Sequence, residues 1–108
     1  MSNGLPAFFQ EVSERFPEVF SHYTALGDSV SRLKGMDART QELVKLGIAI
    51  GAGTEGAVHS HTRRALDLGA TEDEIVQCAL LAITSIGWPG AMAALSWIDD
   101  IIADLRSE

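Results

Sequence analysis

The chain has 108 residues, 46% of them hydrophobic and 21% charged, a balance that suits one small globular domain with a single core. Fifteen acidic residues against eight basic ones leave a net charge of −7, which argues against nucleic acid or an anionic membrane surface as partner. A single cysteine, Cys78, rules out an internal disulfide; no secretory leader pattern or apolar run of membrane-spanning length stands out, and a cytoplasmic location is expected.

The spacing of apolar residues predicts an all-α fold of about six helices arranged as antiparallel hairpins, forming one domain over 1–108. Helix one is expected from Leu5 to Arg15, with Pro6 in its first turn and Phe8, Phe9, Val12 and Phe16 at helical spacing. Pro17 opens a second helix carrying Val19, Phe20, Tyr23 and Leu26, which Gly27 is expected to end. The segment 28–36 reads as a helical turn or a loop. Asp37 caps a third helix from Ala38 to about Gly51, with Leu43, Leu46 and Ile50 as its core stripe. A fourth begins near Thr54 or Glu55 and stops at Gly69, a position suited to a left-handed C-cap. Thr71 and Glu74 form a capping box that starts helix five, which carries Ile75, Val76, Ala79, Leu80 and Ile83. After the break at GWPG, Pro89 opens the last helix, with Trp97, Ile98, Ile101, Ile102 and Leu105. That helix, like the third and fifth, is apolar beyond the stripe a small monomer can bury, which points to symmetric self-association.

The candidate chemistry lies in the spacing Glu42-x11-Thr54-x2-Ala57-x3-His61. Ala57 and His61 are four apart on one helix face, with Thr54 one turn earlier. A Gly-rich turn between helices three and four makes them antiparallel neighbours, so Glu42 can reach His61 across the hairpin. A carboxylate beside an imidazole orients the ring, and such a pair can relay protons. His59, two residues from His61, points to another face. A metal site from His59, His61 and Glu42 or Glu55 is disfavoured, because two histidines at i and i+2 do not converge on one ion. No metal or other cofactor is expected. Of the two arginines that follow, one reads as a solvated or ion-paired side chain. Arg64 is the candidate for holding a substrate carboxylate through paired N–H donors. Trp88, beside Pro89, is a candidate wall for a pocket near His61. Cys78, in an apolar helix, reads as an inert core residue.

The segment ELVKLGIAIGAGTEGAVHSHTRRALDLGATEDEIVQCALLAITSIGWPGAMAAL, positions 42–95, resembles the carboxymuconolactone decarboxylase and alkyl hydroperoxidase D superfamily, whose core would occupy about 37–105 here. In the hydroperoxidase branch the pattern is Glu-x11-Cys-x2-Cys-x3-His: the cysteines reduce peroxide while Glu and His shuttle the proton. Carried over, those cysteines fall on Thr54 and Ala57, whereas Glu42 and His61 are kept. Neither a threonine hydroxyl nor an alanine methyl replaces a thiolate nucleophile and its resolving thiol, so two-cysteine peroxidase chemistry is disfavoured.

The decarboxylase branch also lacks the cysteines, and it matches in HTRR and GWPGAMAA. Its further histidine on the fifth helix is replaced here by aliphatic residues such as Leu80, Leu81 and Ile83. The resemblance implies a small-molecule enzyme acting on a carboxylated or lactone substrate, assembled as a homo-oligomer (a trimer, or a hexamer built from trimers). In that reading His61 is the general acid or base, Glu42 its orienting partner and Thr54 a hydrogen-bond donor. The rival readings are an antioxidant family member acting through Cys78, and a non-catalytic oligomeric binding protein that keeps the fold.

Overall fold

The computed structural model describes residues 7–108, so the expected start of helix one at Leu5 and the place of Pro6 lie outside the described residues. The chain divides into two compact units, Met1–Asp37 and Ala38–Glu108. Helices are the regular structure throughout the described residues, and no helix among them is long and apolar enough to cross a membrane.

The first unit is a pair of helices, α1 (Ala7–Arg15) and α2 (Pro17–Ser31). Pro17 occupies the first turn of α2, where a missing N–H leaves no intrahelical bond unmade. Phe9 meets Phe20 edge-on at 6.5 Å between ring centroids, and Phe20 leans on Tyr23 at 6.3 Å. Contrary to the sequence expectation, Gly27 does not end α2, which continues through it to Ser31. Gly27 lacks the positive φ of a helix-terminating glycine. An interior glycine costs only about 1 kcal/mol relative to alanine, an amount that the surrounding turns absorb. The end comes instead with Arg32 and Leu33, whose amides bond to the carbonyls of Asp28 and Val30.

The second unit holds α3 (Ala38–Ala52), α4 (Glu55–Asp67), α5 (Glu72–Leu81), the single turn α6 (Ile83–Ile86) and α7 (Trp88–Arg106). Two of its turns use the same device. At the end of α3, Gly53 takes φ +70°; its amide bonds to Ile50 O and that of Thr54 to Ala49 O. At the end of α4, Gly69 takes φ +93°, with Gly69 N–H on Leu66 O and Ala70 N–H on Ala65 O. Both are Schellman closures. They satisfy the otherwise orphaned last carbonyls and need a residue without Cβ at the left-handed position. The first of these turns folds α4 back against α3 as an antiparallel hairpin.

Thr71 caps α5 as expected, its hydroxyl accepting from Glu74 N–H while the Glu74 carboxylate accepts from Thr71 N–H. The same carboxylate also pairs with Arg39 at the start of α3. Arg39 first, and then the Thr71 amide, hold the Glu74 carboxyl below its ordinary 4.5. A depressed carboxyl contributes stability above the ordinary value and loses it as pH falls through the folded one. Thr71→Ala is expected to cost ~1 kcal/mol in urea unfolding at neutral pH. The contribution of Glu74 should fade as the pH drops below 4.5.

The sequence places Ile83 in helix five; the structure breaks that helix at Ala82 and gives Ile83 to α6. Gly87, at φ +95°, then turns the chain into α7. Gly90 makes room for Ile86: a Cβ on Gly90 would stand 3.0 Å from the Ile86 Cδ1. Leu46, Ile50, Val58, Ile75 and Ile98 are the large fully or almost fully buried aliphatics of the core, with alanines 49, 65, 79 and 94 letting the helices approach closely. The band on the last helix is not left open as expected, since Ile98, Ile101 and Ile102 are buried within the chain and Trp97 is partly buried. The exposed apolar side chains of this unit lie elsewhere, at Val44 and Ile48 on α3, Leu68 after α4, Leu80 and Leu81 on α5, Ile86 on α6 and Trp88 on α7.

Candidate functional site

Glu42 stands in the second turn of α3 and His61 at the middle of α4. The tight turn at Gly53 and Thr54 sets the register that brings them face to face. His61 Nδ1 lies 2.8 Å from Glu42 Oε1. Glu42 is buried and His61 half-buried. An ionised carboxylate only accepts, so Nδ1–H is the donor, and the neutral ring carries its lone pair on Nε2, on the side away from Glu42. The other carboxylate oxygen, Oε2, faces Lys45 Nζ at 3.9 Å, one turn further along α3. Lys45 carries no distinctive mark in the sequence. Its i,i+3 spacing from Glu42 was the available signal, but one shared by many ordinary surface pairs.

The remaining candidates occupy varied surroundings. Thr54 is the exposed N-cap residue of α4, and its side chain makes no capping bond. It precedes His61 by two turns, about 10 Å of helix rise, so the two reach different parts of any one ligand. Ala57, half-buried, lies between them on the same stripe. Arg64 follows His61 by three residues on that stripe, exposed and without a polar side-chain partner among the described residues. Arg63 is instead paired with Asp104 of α7 at 3.5 Å. Trp88 is exposed in the first turn of α7.

His59 turns off the stripe toward Glu55, with 3.9 Å between Nε2 and the carboxylate; that nitrogen is buried without a hydrogen bond. No group of three metal-ligating side chains gathers among the described residues. Next to His61, Thr62 is wholly buried, and its hydroxyl has no hydrogen-bond partner.

Cys78 packs half-buried against the core, and burial first, then the Glu74 charge one turn earlier, push its thiol above the ordinary 9.0. A thiol shifted this way is protonated, and therefore a poor nucleophile, at neutral pH. The folded protein is expected to react with iodoacetamide at pH 7 several-fold more slowly than the urea-unfolded chain. Its rate should reach half of its plateau only above pH 9.0, and mass spectrometry of the alkylated chain checks this.

Comparisons with known proteins place this hairpin in a family. The sequence pattern of the carboxymuconolactone decarboxylase family matches residues 17–100. Two uncharacterized proteins of Methanocaldococcus jannaschii are similar to the chain. One is 26% identical over 91 residues, covering 83% of this chain and 88% of the relative. The other is 28% identical over 105 residues, covering 96% and 98%. A solved carboxymuconolactone decarboxylase family protein from Legionella pneumophila superposes with a TM-score of 0.74 over 86% of either chain, at 21% identity. At that identity the likeness carries the fold alone. The extent of the family match, residues 17–100, decides the assignment: the chain belongs to the carboxymuconolactone decarboxylase family.

Proposed function

We propose that the chain is a decarboxylase-like small-molecule enzyme that moves a proton through the Glu42–His61 pair on a carboxylated or lactone substrate. The observation that carries this reading is the 2.8 Å bond between Glu42 and His61 Nδ1, which orients the ring and leaves Nε2 as the atom that meets substrate. Arg64, one turn along the same stripe, supplies paired N–H donors for a carboxylate. Thr54, two turns the other way, donates to a more distant oxygen. Trp88 and His59 would contact the substrate from outside this stripe.

Loss of carbon dioxide from a substrate carboxylate leaves the bonding electron pair on carbon as an enolate, which must be protonated. In the protonated ring, Nε2–H gives its proton to that carbon. The neutral ring then keeps Nδ1–H on Glu42 and regains a proton at Nε2 from water. Glu42 stabilises the charged ring without itself taking the proton. Thiol-based peroxide reduction has no support, because Thr54 and Ala57 stand where the thiols would be and Cys78 is held protonated. The protein is further proposed to act as a trimer, or as a hexamer built from two trimers, in agreement with the exposed apolar residues on α3 and α5.

Turnover across a panel of lactones and carboxylated dienes, wild type beside His61→Asn, is the test. Activity lost with His61 supports the relay. A variant that binds and turns over the panel as well as wild type does removes it, and binding without turnover in either protein identifies a non-catalytic binder.

A further inference from the structure

We infer that Lys45 tunes how tightly His61 holds a proton: its ammonium charge, set against the far oxygen of Glu42, offsets part of the pull of that carboxylate on the protonated ring. The catalytic meaning of this rests on the proton transfer proposed above, whereas the coupling itself is read from the protein without substrate.

Glu42 makes one contact with each oxygen. Oε1 lies 2.8 Å from His61 Nδ1, and Oε2 lies 3.9 Å from Lys45 Nζ. A Glu–Lys pair three residues apart on a solvated helix face is common and weak. This one differs, because the carboxylate is only 9% exposed and is bonded to a ring on the next helix. The carboxylate is all that separates ammonium from imidazole. They stand at most about 9 Å apart, within the Debye length of dilute buffers.

The charges decide the direction. With Glu42 ionised, Lys45 and Glu42 cancel while the ring is neutral, and protonating the ring leaves the trio net positive. Without Lys45, the protonated ring and the carboxylate cancel each other, so the proton is held more tightly. A ring that must release a proton from Nε2 to an enolate carbon is helped by the first arrangement.

Most other charges on the helices packed around the hairpin have partners elsewhere. Arg39 pairs with Glu74, Arg63 with Asp104 and Arg106 with Glu72, while His59 turns to Glu55. Asp67, Asp73, Asp99 and Asp100 are exposed to solvent. Arg64, exposed one turn beyond His61, adds to the positive side and is unchanged in every variant below.

The test is an NMR titration of His61 in the full-length chain, its ring signals identified by their loss in His61→Asn. Lys45→Met keeps a long stem and removes the charge, and the His61 midpoint should rise by roughly 0.3 pH unit at low ionic strength. Lys45→Gln should reproduce that rise. Lys45→Glu reverses the charge and should raise the midpoint about twice as far, whereas Lys45→Arg should leave it at the wild-type value. Added salt should shrink every shift, and His59 should move much less than His61. Far-ultraviolet circular dichroism checks that each variant keeps the fold.

Equal midpoints in wild type and all variants overturn the inference, since the charge then does not reach the ring. A Lys45→Arg shift as large as that of Lys45→Met also overturns it, because the stem and not the charge would be acting. So does a Lys45→Glu shift no larger than that of Lys45→Met. Where the substrate panel shows turnover, the pH profile of kcat/KM in Lys45→Met should move alkaline by the same amount. A panel without turnover removes the enzymatic reading and leaves the coupling to be decided by the titration.

Discussion

His61→Asn is expected to lower kcat/KM by about 10²- to 10⁴-fold on whichever lactone or carboxylated substrate the wild type turns over, the range that a positioned acid or base supplies. Asparagine retains a polar side chain of similar length near Glu42, so the fold should survive while the proton-carrying nitrogen is lost. Glu42→Gln should act in the same direction but less strongly: the amide can still accept from Nδ1–H, yet it brings no charge to stabilise a protonated ring. Because the two groups work as one device, the double variant should be little worse than His61→Asn alone. Additive losses would mean that Glu42 serves the fold and His61 the chemistry, each on its own. Arg64→Ala separates binding from proton transfer, since it should raise KM for a carboxylated substrate more than it lowers kcat.

The second large effect falls on stability. Leu46→Ala, at a fully buried position one turn after Glu42 on α3, is expected to cost about 2–5 kcal/mol, read from the urea midpoint at constant m. The cost combines lost transfer energy with a void that Ile50, Val58 and Ile75 would have to move to fill, and a close-packed core relaxes only in part. Against a total stability of about 5–15 kcal/mol, such a loss brings the chain near its unfolding threshold. Ile48→Ala on the same helix is the informative control. At 65% exposure it should change the stability of an isolated chain by less than about 0.5 kcal/mol. A much larger and concentration-dependent effect would show that Ile48 is covered when copies assemble.

The sequence by itself determined the features whose physical causes span only a few residues. Gly69 ends a helix because a left-handed residue must close the last turn, and Thr71 with Glu74 starts one because the orphaned amides there need acceptors. Glu42 and His61 could be paired on paper because a two-residue turn between two helices leaves little freedom of register. The same local reasoning failed where local signals were weak. Gly27 reads as a stop, but a helix tolerates one glycine when the turns on either side persist. Ala82 carries no breaking signal, yet the chain changes helix there.

Only the tertiary structure decided which apolar faces are covered. The band on α7 reads as surplus in the sequence and proves buried, while Val44 and Ile48 on the outer side of α3 stand open. Burial depends on neighbours far away in the chain, and a periodic pattern states that a face is apolar without naming what meets it. The same holds for chemistry: spacing could place Arg64 one turn from His61, but it took the packed helices to show Arg63 drawn off to Asp104 and the Cys78 thiol kept protonated by its surroundings.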